Sequence, residues 1–125
     1  MLFDTDIFIW ARRGNAAAAR MIDGADARFI SIQTYMEFLQ GARDTRQMAL
    51  NKSFLRDLDF TTLGFTENIG HRAAIYIESY ALAHGLRSGD ALVAATALEN
   101  DLPLATANGK HYRAIPGLKI KLLKP

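Results

Sequence analysis

Short apolar segments alternate with longer helical segments along this chain of 125 residues. Residues 1–4, 29–32 and 102–105 have the length and apolar character of buried strands, and helical patterns separate them. Strands that alternate with helices in this way form a parallel sheet, with the helices packed on both of its faces. The order of the elements therefore predicts an α/β fold built around one mainly parallel sheet.

The remaining elements extend this alternation. Two more strands are predicted at residues 60–65 and 118–123, and the second alternates lysine with aliphatic residues, as exposed edge strands do. Asp4 or Asp6 begins a short helix that ends near Arg13. Further helices are predicted at residues 16–22, 34–42, 45–57, 66–84 and 88–99, with a helical turn at 109–115.

Several helix ends carry residues that favour capping. Thr34, Thr66 and Ser88 stand where helices are predicted to start, and a hydroxyl there can accept a bond from a first-turn amide. Gly85 stands where the longest helix is predicted to end, because glycine readily adopts the left-handed conformation found just after a helix.

The composition is that of one globular domain. Half of the residues are hydrophobic and 22% are charged, and a chain of this length builds one domain rather than two. The absence of cysteine excludes disulfides and thiolate zinc sites, so a cytoplasmic location is expected. No apolar run approaches the roughly 20 residues of a membrane span, and residues 1–10 lack the features of a signal peptide. The net charge of +2 permits a nucleic-acid partner without establishing one.

Three acidic residues stand among apolar residues close to predicted helix starts. Asp4 follows the first strand, Glu37 lies on the first turn after the second strand, and Asp90 begins the helix that precedes residues 102–105. Ligands of parallel α/β sheets bind at the carboxyl ends of the strands, and all three positions belong to that edge. Asn108 follows a strand and reaches the same edge. The order of the elements therefore predicts that these polar groups face one cleft.

Mutual repulsion among three such carboxylates points to a bound cation. Two carboxylates about 5 Å apart repel by roughly 3 kcal/mol at an effective dielectric constant of about 20. Three such pairs would approach the total stability of a small domain, which is only about 5–15 kcal/mol. The carboxylates are therefore expected either to take up protons or to bind a divalent cation. Oxygen ligands favour Mg²⁺ or Mn²⁺ over Zn²⁺, and such a site is suited to phosphodiester hydrolysis.

Each acidic residue also has a purely structural alternative. Thr34 and Glu37 fit a capping box, in which the glutamate accepts a bond from the amide of the capping residue. Asp90 lies in a first helical turn, where a negative charge gains about 0.3–1 kcal/mol from the helix dipole.

The other candidates have similar alternatives. Asp4 and Asp6 could each be an N-cap, and Asp6 is the one more readily explained as only that. Asn108 beside Gly109 is a common pair in turns. The argument for function therefore depends on the joint placement of these residues and on no single one of them.

Four segments of the chain are similar to a known family. They are residues 2–9, 31–41, 89–97 and 104–112, which contain the three acids and the Thr-Ala-Asn sequence at 106–108. In this order and spacing they resemble the PIN-domain family, in particular the VapC-type toxins of bacterial toxin–antitoxin pairs. The resemblance covers nearly the whole chain.

The resemblance implies a fold and an activity. The fold would be a three-layer α/β/α domain around a parallel sheet of four or five strands, and the activity an endoribonuclease that requires Mg²⁺ or Mn²⁺. Asp4, Glu37 and Asp90 would be the principal catalytic acids and metal ligands. Asn108 stands in the place of a fourth acid and would be a weak ligand. The supporting residues would be Thr106 and Asp6.

The resemblance also implies partners. These are an RNA substrate, a cognate antitoxin that blocks the cleft, and a second copy of the chain in a homodimer, with no membrane involved. Basic residues expected near the cleft would hold the RNA backbone, which positions the substrate without recognising its sequence. They are Arg12, Arg13, Lys110, His111 and Arg113.

Two other functions remain open. Asp4-Thr-Asp6 after an apolar strand is similar to the D-x-D motif of haloacid-dehalogenase-like phosphatases, although Phe8 stands where those enzymes usually have Thr or Val. The second alternative is a PIN-like module that binds a partner and has little or no nuclease activity. The uncharged Asn108 at the fourth position favours it slightly, and the three acids argue against it.

Overall fold

The computed structural model describes all of residues 1–125. Its five strands are β1 (Leu2–Phe3), β2 (Arg28–Ser31), β3 (Phe60–Leu63), β4 (Leu104–Thr106) and β5 (Ile120–Leu122). Its seven helices are α1 (Thr5–Arg12), α2 (Ala16–Asp23), α3 (Ile32–Gln40), α4 (Thr45–Asp57), α5 (Glu67–His84), α6 (Ser88–Glu99) and α7 (Gly109–Tyr112). Each predicted strand and helix is present, with ends that shift by a few residues.

The five strands form one sheet in the order β3-β2-β1-β4-β5, and every neighbouring pair is parallel. The predicted α/β fold with a parallel sheet is therefore confirmed. The strand β1 lies at the centre, where Leu2 pairs with Phe29 of β2 and with Leu104 of β4. As predicted for residues 118–123, β5 forms an edge of the sheet.

The two faces of the sheet have separate hydrophobic cores, because successive side chains of a strand point to opposite faces. Leu2 and Leu104 belong to the core shared with α5 and α6. Their neighbours Phe3 and Ala105 belong to the core shared with α1, α2, α3 and α4. Helices thus cover both faces of the sheet, which is the expected three-layer arrangement.

Two helices begin at residues other than the predicted ones, and for a third the structure decides between the two predicted caps. The cap of α3 is Ser31, whose Oγ accepts from the Thr34 amide at 3.0 Å, so Thr34 is not a cap. The cap of α6 is Arg87, and Ser88 is the first residue of the helix. Asp4, rather than Asp6, caps α1. For α1 and α3 the preceding strands end at Phe3 and at Ser31, so the end of the strand decides where the helix can begin.

Two other predicted helix ends agree with the structure. Thr66 caps α5 and accepts from the Ile69 amide at 3.2 Å. Gly85 ends α5 with φ of 68°, in the left-handed region that glycine adopts without strain. No helix combines the length and the apolar character that a membrane crossing requires.

Candidate active site

The sheet topology brings the carboxyl ends of β1 and β4 together. From β1 the chain continues to β2 and β3 on one side, and it returns to β4 and β5 on the other. The crevice between β1 and β4 is therefore the point at which the strand order reverses, and open α/β sheets bind their ligands there. Asp4 directly follows β1, and Thr106 is the last residue of β4.

Asp4 has hydrogen-bond donors on both of its carboxylate oxygens. The Thr5 amide donates to Oδ1 at 2.9 Å, which is the capping bond of α1. The hydroxyls of Thr106 and Tyr112 donate to Oδ2 at 3.0 and 2.9 Å. The side chain is thereby held at the edge of the sheet by the segment after β1, the end of β4 and the helix α7.

Thr106 lies between Asp4 and a second carboxylate. Its Oγ1 is 3.0 Å from Asp4 Oδ2 and 3.2 Å from Asp6 Oδ2, and it accepts from the Asn108 amide at 3.0 Å. A hydroxyl has one hydrogen, so Thr106 donates to only one carboxylate at a time. Asp6 Oδ2 also accepts from the Ala107 amide at 3.0 Å, whereas Asp6 Oδ1 is buried without a partner. The two carboxylates therefore have fewer donors than they can accept.

Asp90 lies in the first turn of α6 and faces α7. Its Oδ2 accepts weakly from the Arg87 amide at 3.4 Å and lies 3.2 Å from His111 Nδ1. Its Oδ1 lies 3.3 Å from the Tyr112 hydroxyl. Asn108 Nδ2 is 3.0 Å from the same His111 nitrogen. Asp90 thus retains a capping contact, but most of its contacts are with α7 and not with its own helix.

Glu37 lies further out than the two aspartates. It is exposed, and its carboxylate accepts from Thr5 Oγ1 at 3.4 Å and from Gln33 Nε2 at 3.1 Å. A Cβ atom built on Gly89 would lie 3.5 Å from Glu37 Oε1, so Glu37 lies against the start of α6. Because Ser31 caps α3, Glu37 is not part of a capping box.

The three predicted acids therefore lie at one edge of the sheet, but not in one compact group. Asp4 and Asp90 share Tyr112, and Glu37 reaches Asp4 only through the neighbouring Thr5. No three Asp, Glu or His side chains lie close enough together to form a preformed metal-binding cluster. The sequence predicted that all three acids face one cleft; in the structure Asp4 and Asp90 are neighbours, and Glu37 stands apart from them.

Burial raises the pKa values of Asp4, Asp6 and Tyr112. It raises the pKa of Asp4 from 3.8 to about 7, and the nearby charge of Asp6 adds to the effect. Burial also raises the pKa of Asp6, against the lowering effect of its bonds from Ala107 and Thr106. The pKa of Tyr112 is raised by burial and by the charges of Asp4 and Asp90. Tyr112 is therefore a protonated phenol and a hydrogen-bond donor at neutral pH.

The residues present fit a small divalent cation. The acceptors that face the crevice between β1 and β4 are oxygens, which suit Mg²⁺ or Mn²⁺ better than softer metals. Asp6 Oδ1 is buried without a partner, and burial together with the charge of Asp6 raises the pKa of Asp4, so a cation would relieve both. Mg²⁺ is commonly bound through only one or two carboxylates and several waters, so it does not need a compact group of three acids.

The raised pKa of Asp4 makes stability depend on pH. The folded state binds this proton below pH about 7, whereas the unfolded chain releases it near 3.8, so stability falls as the pH rises between these values. Without metal, we expect the melting temperature to be about 4 °C or more higher at pH 5 than at pH 8, a shift that corresponds to about 1 kcal/mol. Added Mg²⁺ should recover most of the loss at pH 8 and have little effect at pH 5. Differential scanning calorimetry measures the melting temperature at each pH with and without Mg²⁺, and Asp4→Asn is the control. An undiminished pH dependence in Asp4→Asn would show that other groups cause it.

The basic residues proposed to hold RNA divide into two sets. Arg12 and Arg13 lie at the far end of α1 from Asp4, about 12 Å along a helix that rises about 1.5 Å per residue. Arg12 packs over the Phe38 ring, and Arg13 over the Trp10 ring.

The second set belongs to α7 and the residue after it. Lys110 and Arg113 are exposed on either side of His111 and Tyr112, both of which contact Asp90. Only this set lies beside the carboxylates.

Tyr112 is not among the residues that the sequence predicted for the site. Its ring is buried in the core beside α6. Its hydroxyl nevertheless contacts Asp4, which is 108 residues away in the sequence. A signal was present, because Tyr112 falls in the predicted helical turn that follows β4 and Asn108 at the same edge of the sheet.

The PIN domain family matches residues 1–117, which is most of the chain. The chain belongs to the PIN domain family. Ribonuclease VapC19 of Mycobacterium tuberculosis is 31% identical over 123 residues, which cover 94% of this chain and 96% of that protein. This finding confirms the family that the sequence segments indicated.

Solved structures also resemble this PIN domain. A toxin–antitoxin complex from Klebsiella pneumoniae contains a chain that is 29% identical, with a TM-score of 0.79 over 94% of this chain and 93% of that one. VapBC2 from Rickettsia felis, bound to a DNA fragment from its promoter, has a TM-score of 0.81 at 16% identity and covers 98% of both chains. At that identity the second likeness supports the fold alone.

Proposed function

We propose that this PIN domain is an endoribonuclease that depends on Mg²⁺ or Mn²⁺ and acts as the toxin of a toxin–antitoxin pair. The main observation behind the proposal is that Asp4 and Asp90 lie on either side of the buried Tyr112 hydroxyl, at the point where the strand order reverses. The similarity to ribonuclease VapC19 supports RNA as the substrate.

Asp4 and Asp90 would hold the cation, with Asp6 and Asn108 beside them. A bound divalent cation supplies an activated water and stabilises the charge that develops on the phosphate. Thr106 and Tyr112 keep the Asp4 carboxylate turned toward the crevice. Glu37 is exposed and accepts only two bonds, so it can orient a water or accept its proton from the solvent side.

The RNA backbone would lie along α7. Lys110, His111 and Arg113 provide the basic groups on this side of the carboxylates, and contacts to phosphate oxygens hold RNA without selecting a sequence. Arg12 and Arg13, at the other end of α1, would contribute only to a longer binding path.

A cognate antitoxin is the proposed protein partner. It is supported by the similar toxin–antitoxin complex from Klebsiella pneumoniae, whose matching chain is 29% identical. The homodimer stays a prediction, which sedimentation of the purified protein can test.

The test of the proposed function is cleavage of total bacterial RNA by the purified protein. We expect discrete fragments with Mg²⁺ or Mn²⁺ and none with EDTA, because the carboxylates alone provide no activated water. Sequencing the fragment ends would identify the RNA that is cut.

The partner-binding module remains the second candidate. It is favoured by the lack of a compact three-acid group and by the uncharged Asn108 at the fourth position. Metal binding without cleavage of any RNA would support this module and contradict the nuclease.

A further inference from the structure

Tyr112 is the one side chain that contacts both Asp4 and Asp90. Its hydroxyl lies 2.9 Å from Asp4 Oδ2 and 3.3 Å from Asp90 Oδ1. Only 1% of the residue is exposed, and its ring packs in the core shared with α5 and α6. The position of the hydroxyl is therefore determined by the packing of the ring and not by the carboxylates that it contacts.

The hydrogen bonds of Asp4 define which oxygen is free. Oδ2 accepts from both Thr106 and Tyr112, whereas Oδ1 accepts only from the Thr5 amide. A carboxylate oxygen has two lone pairs in its plane, so Oδ2 is fully used when the Thr106 hydroxyl donates to it and not to Asp6. Oδ1 retains one lone pair in either case. Without the Tyr112 hydroxyl, Oδ2 would lose one of its two donors and the carboxylate could turn.

The same hydroxyl affects the second carboxylate. A phenol has one hydrogen, and the shorter contact is with Asp4, so Asp90 Oδ1 is only weakly bonded. Its other oxygen, Oδ2, lies 3.4 Å from the Arg87 amide and 3.2 Å from His111 Nδ1. Tyr112 thus fixes Asp4 firmly and places Asp90 beside it with an oxygen that is available to a ligand.

We propose that Tyr112 is a positioning residue for the divalent cation, because its buried hydroxyl orients Asp4 and keeps Asp90 next to it. This inference rests on the proposed function, since it assumes that the two carboxylates bind the metal. Groups that orient metal-binding side chains commonly change metal affinity by about 10–100-fold when they are removed. The loss of one hydroxyl is therefore expected to weaken cation binding by a similar factor.

Tyr112→Phe tests this inference, because it removes the hydroxyl and keeps the ring. Tyr76→Phe is the matched control, since Tyr76 is buried in the same core and its hydroxyl contacts Arg72 instead of the acids. We expect Mn²⁺ to bind about 10–100-fold more weakly to Tyr112→Phe, measured by isothermal titration calorimetry. The affinity of Tyr76→Phe should remain within about twofold of the original chain.

The outcomes separate this inference from the proposed function. If the original chain binds Mn²⁺ and Tyr112→Phe binds it equally well, Tyr112 has only a structural role and the inference is overturned. If the original chain binds no Mn²⁺, the metal-dependent nuclease is itself contradicted. Urea unfolding of both variants without metal shows whether a lower affinity reflects loss of the fold.

A second measurement covers the case in which Tyr112→Phe does not fold. The chain has 4 tyrosines, and replacing Tyr35, Tyr76 and Tyr80 by Phe leaves Tyr112 alone. Mn²⁺ should change the ultraviolet absorption of this remaining phenol, with the same dissociation constant as in the Mn²⁺ calorimetry. An unchanged tyrosine spectrum at saturating Mn²⁺ would overturn the inference.

Discussion

Asp90→Asn should reduce RNA cleavage by about 10³-fold or more, because the neutral amide neither binds a divalent cation tightly nor stabilises charge as the carboxylate does. The amide has nearly the same shape, and its oxygen can still accept from the Arg87 amide. The replacement also removes the repulsion that Asp90 exerts on Asp6. The domain should therefore remain folded, with the loss confined to activity. Single-turnover cleavage in Mn²⁺ measures the rate.

Asp101→Asn is the matched control for this variant. Asp101 is an exposed acid just after the same helix, and it adopts φ of 51°, which asparagine tolerates well. The control changes the net charge by the same amount and leaves the crevice between β1 and β4 untouched. Equal cleavage rates for Asp90→Asn and Asp101→Asn would exclude Asp90 from the active site.

Phe8→Ala should lower the free energy of unfolding by about 3–5 kcal/mol, the usual cost of removing a buried phenylalanine side chain. Phe8 is 1% exposed, and its ring centre lies 5.1–6.4 Å from those of four other aromatic rings. These rings belong to Phe3, Phe38, Phe54 and Phe60. Removal would leave a cavity between β1 and the helices of that face, in a domain whose total stability is about 5–15 kcal/mol.

Urea unfolding followed by circular dichroism measures this loss. Phe65→Ala is the comparison, because Phe65 is 41% exposed and lies outside both cores, so its loss should cost about 1 kcal/mol or less. Equal losses of unfolding free energy in the two variants would show that the packing of Phe8 against the four other rings does not stabilise the domain as expected. Phe8→Leu, which keeps most of the apolar contact, should recover more than half of the loss.

The fold could be predicted from local patterns because each strand and helix carries its own signal. Alternation of apolar segments with helical periodicity implied a parallel sheet, and the structure has five parallel strands. Helix starts were less predictable. The sequence predicted Thr34 as the start of α3, whereas the cap is Ser31. The end of β2 decided it, since the strand continues to Ser31 and the helix can begin only after it.

The candidate site was predictable only in part. Asp4 and Asp90 could be placed at one edge of the sheet, because the direction of each strand and helix follows from their order. The exposure of Glu37 could not be foreseen, since it depends on how α3 packs against the start of α6. The distance of Arg12 from the acids could not be foreseen either, because its guanidinium packs on Phe38 at the far end of α1.

The sequence by itself determined the class of fold and the edge at which the acids Asp4 and Asp90 would lie, because these follow from local periodicity and element order. It also indicated the family, through the resemblance of four segments and not through periodicity. Only the tertiary structure decided that Tyr112 joins the two carboxylates and that Glu37 stands apart from them. The physical reason is that these contacts join residues that lie far apart in the sequence. A hydrogen bond between residues 108 positions apart depends on how α7 packs beside α6 and β5, and no local pattern encodes that packing.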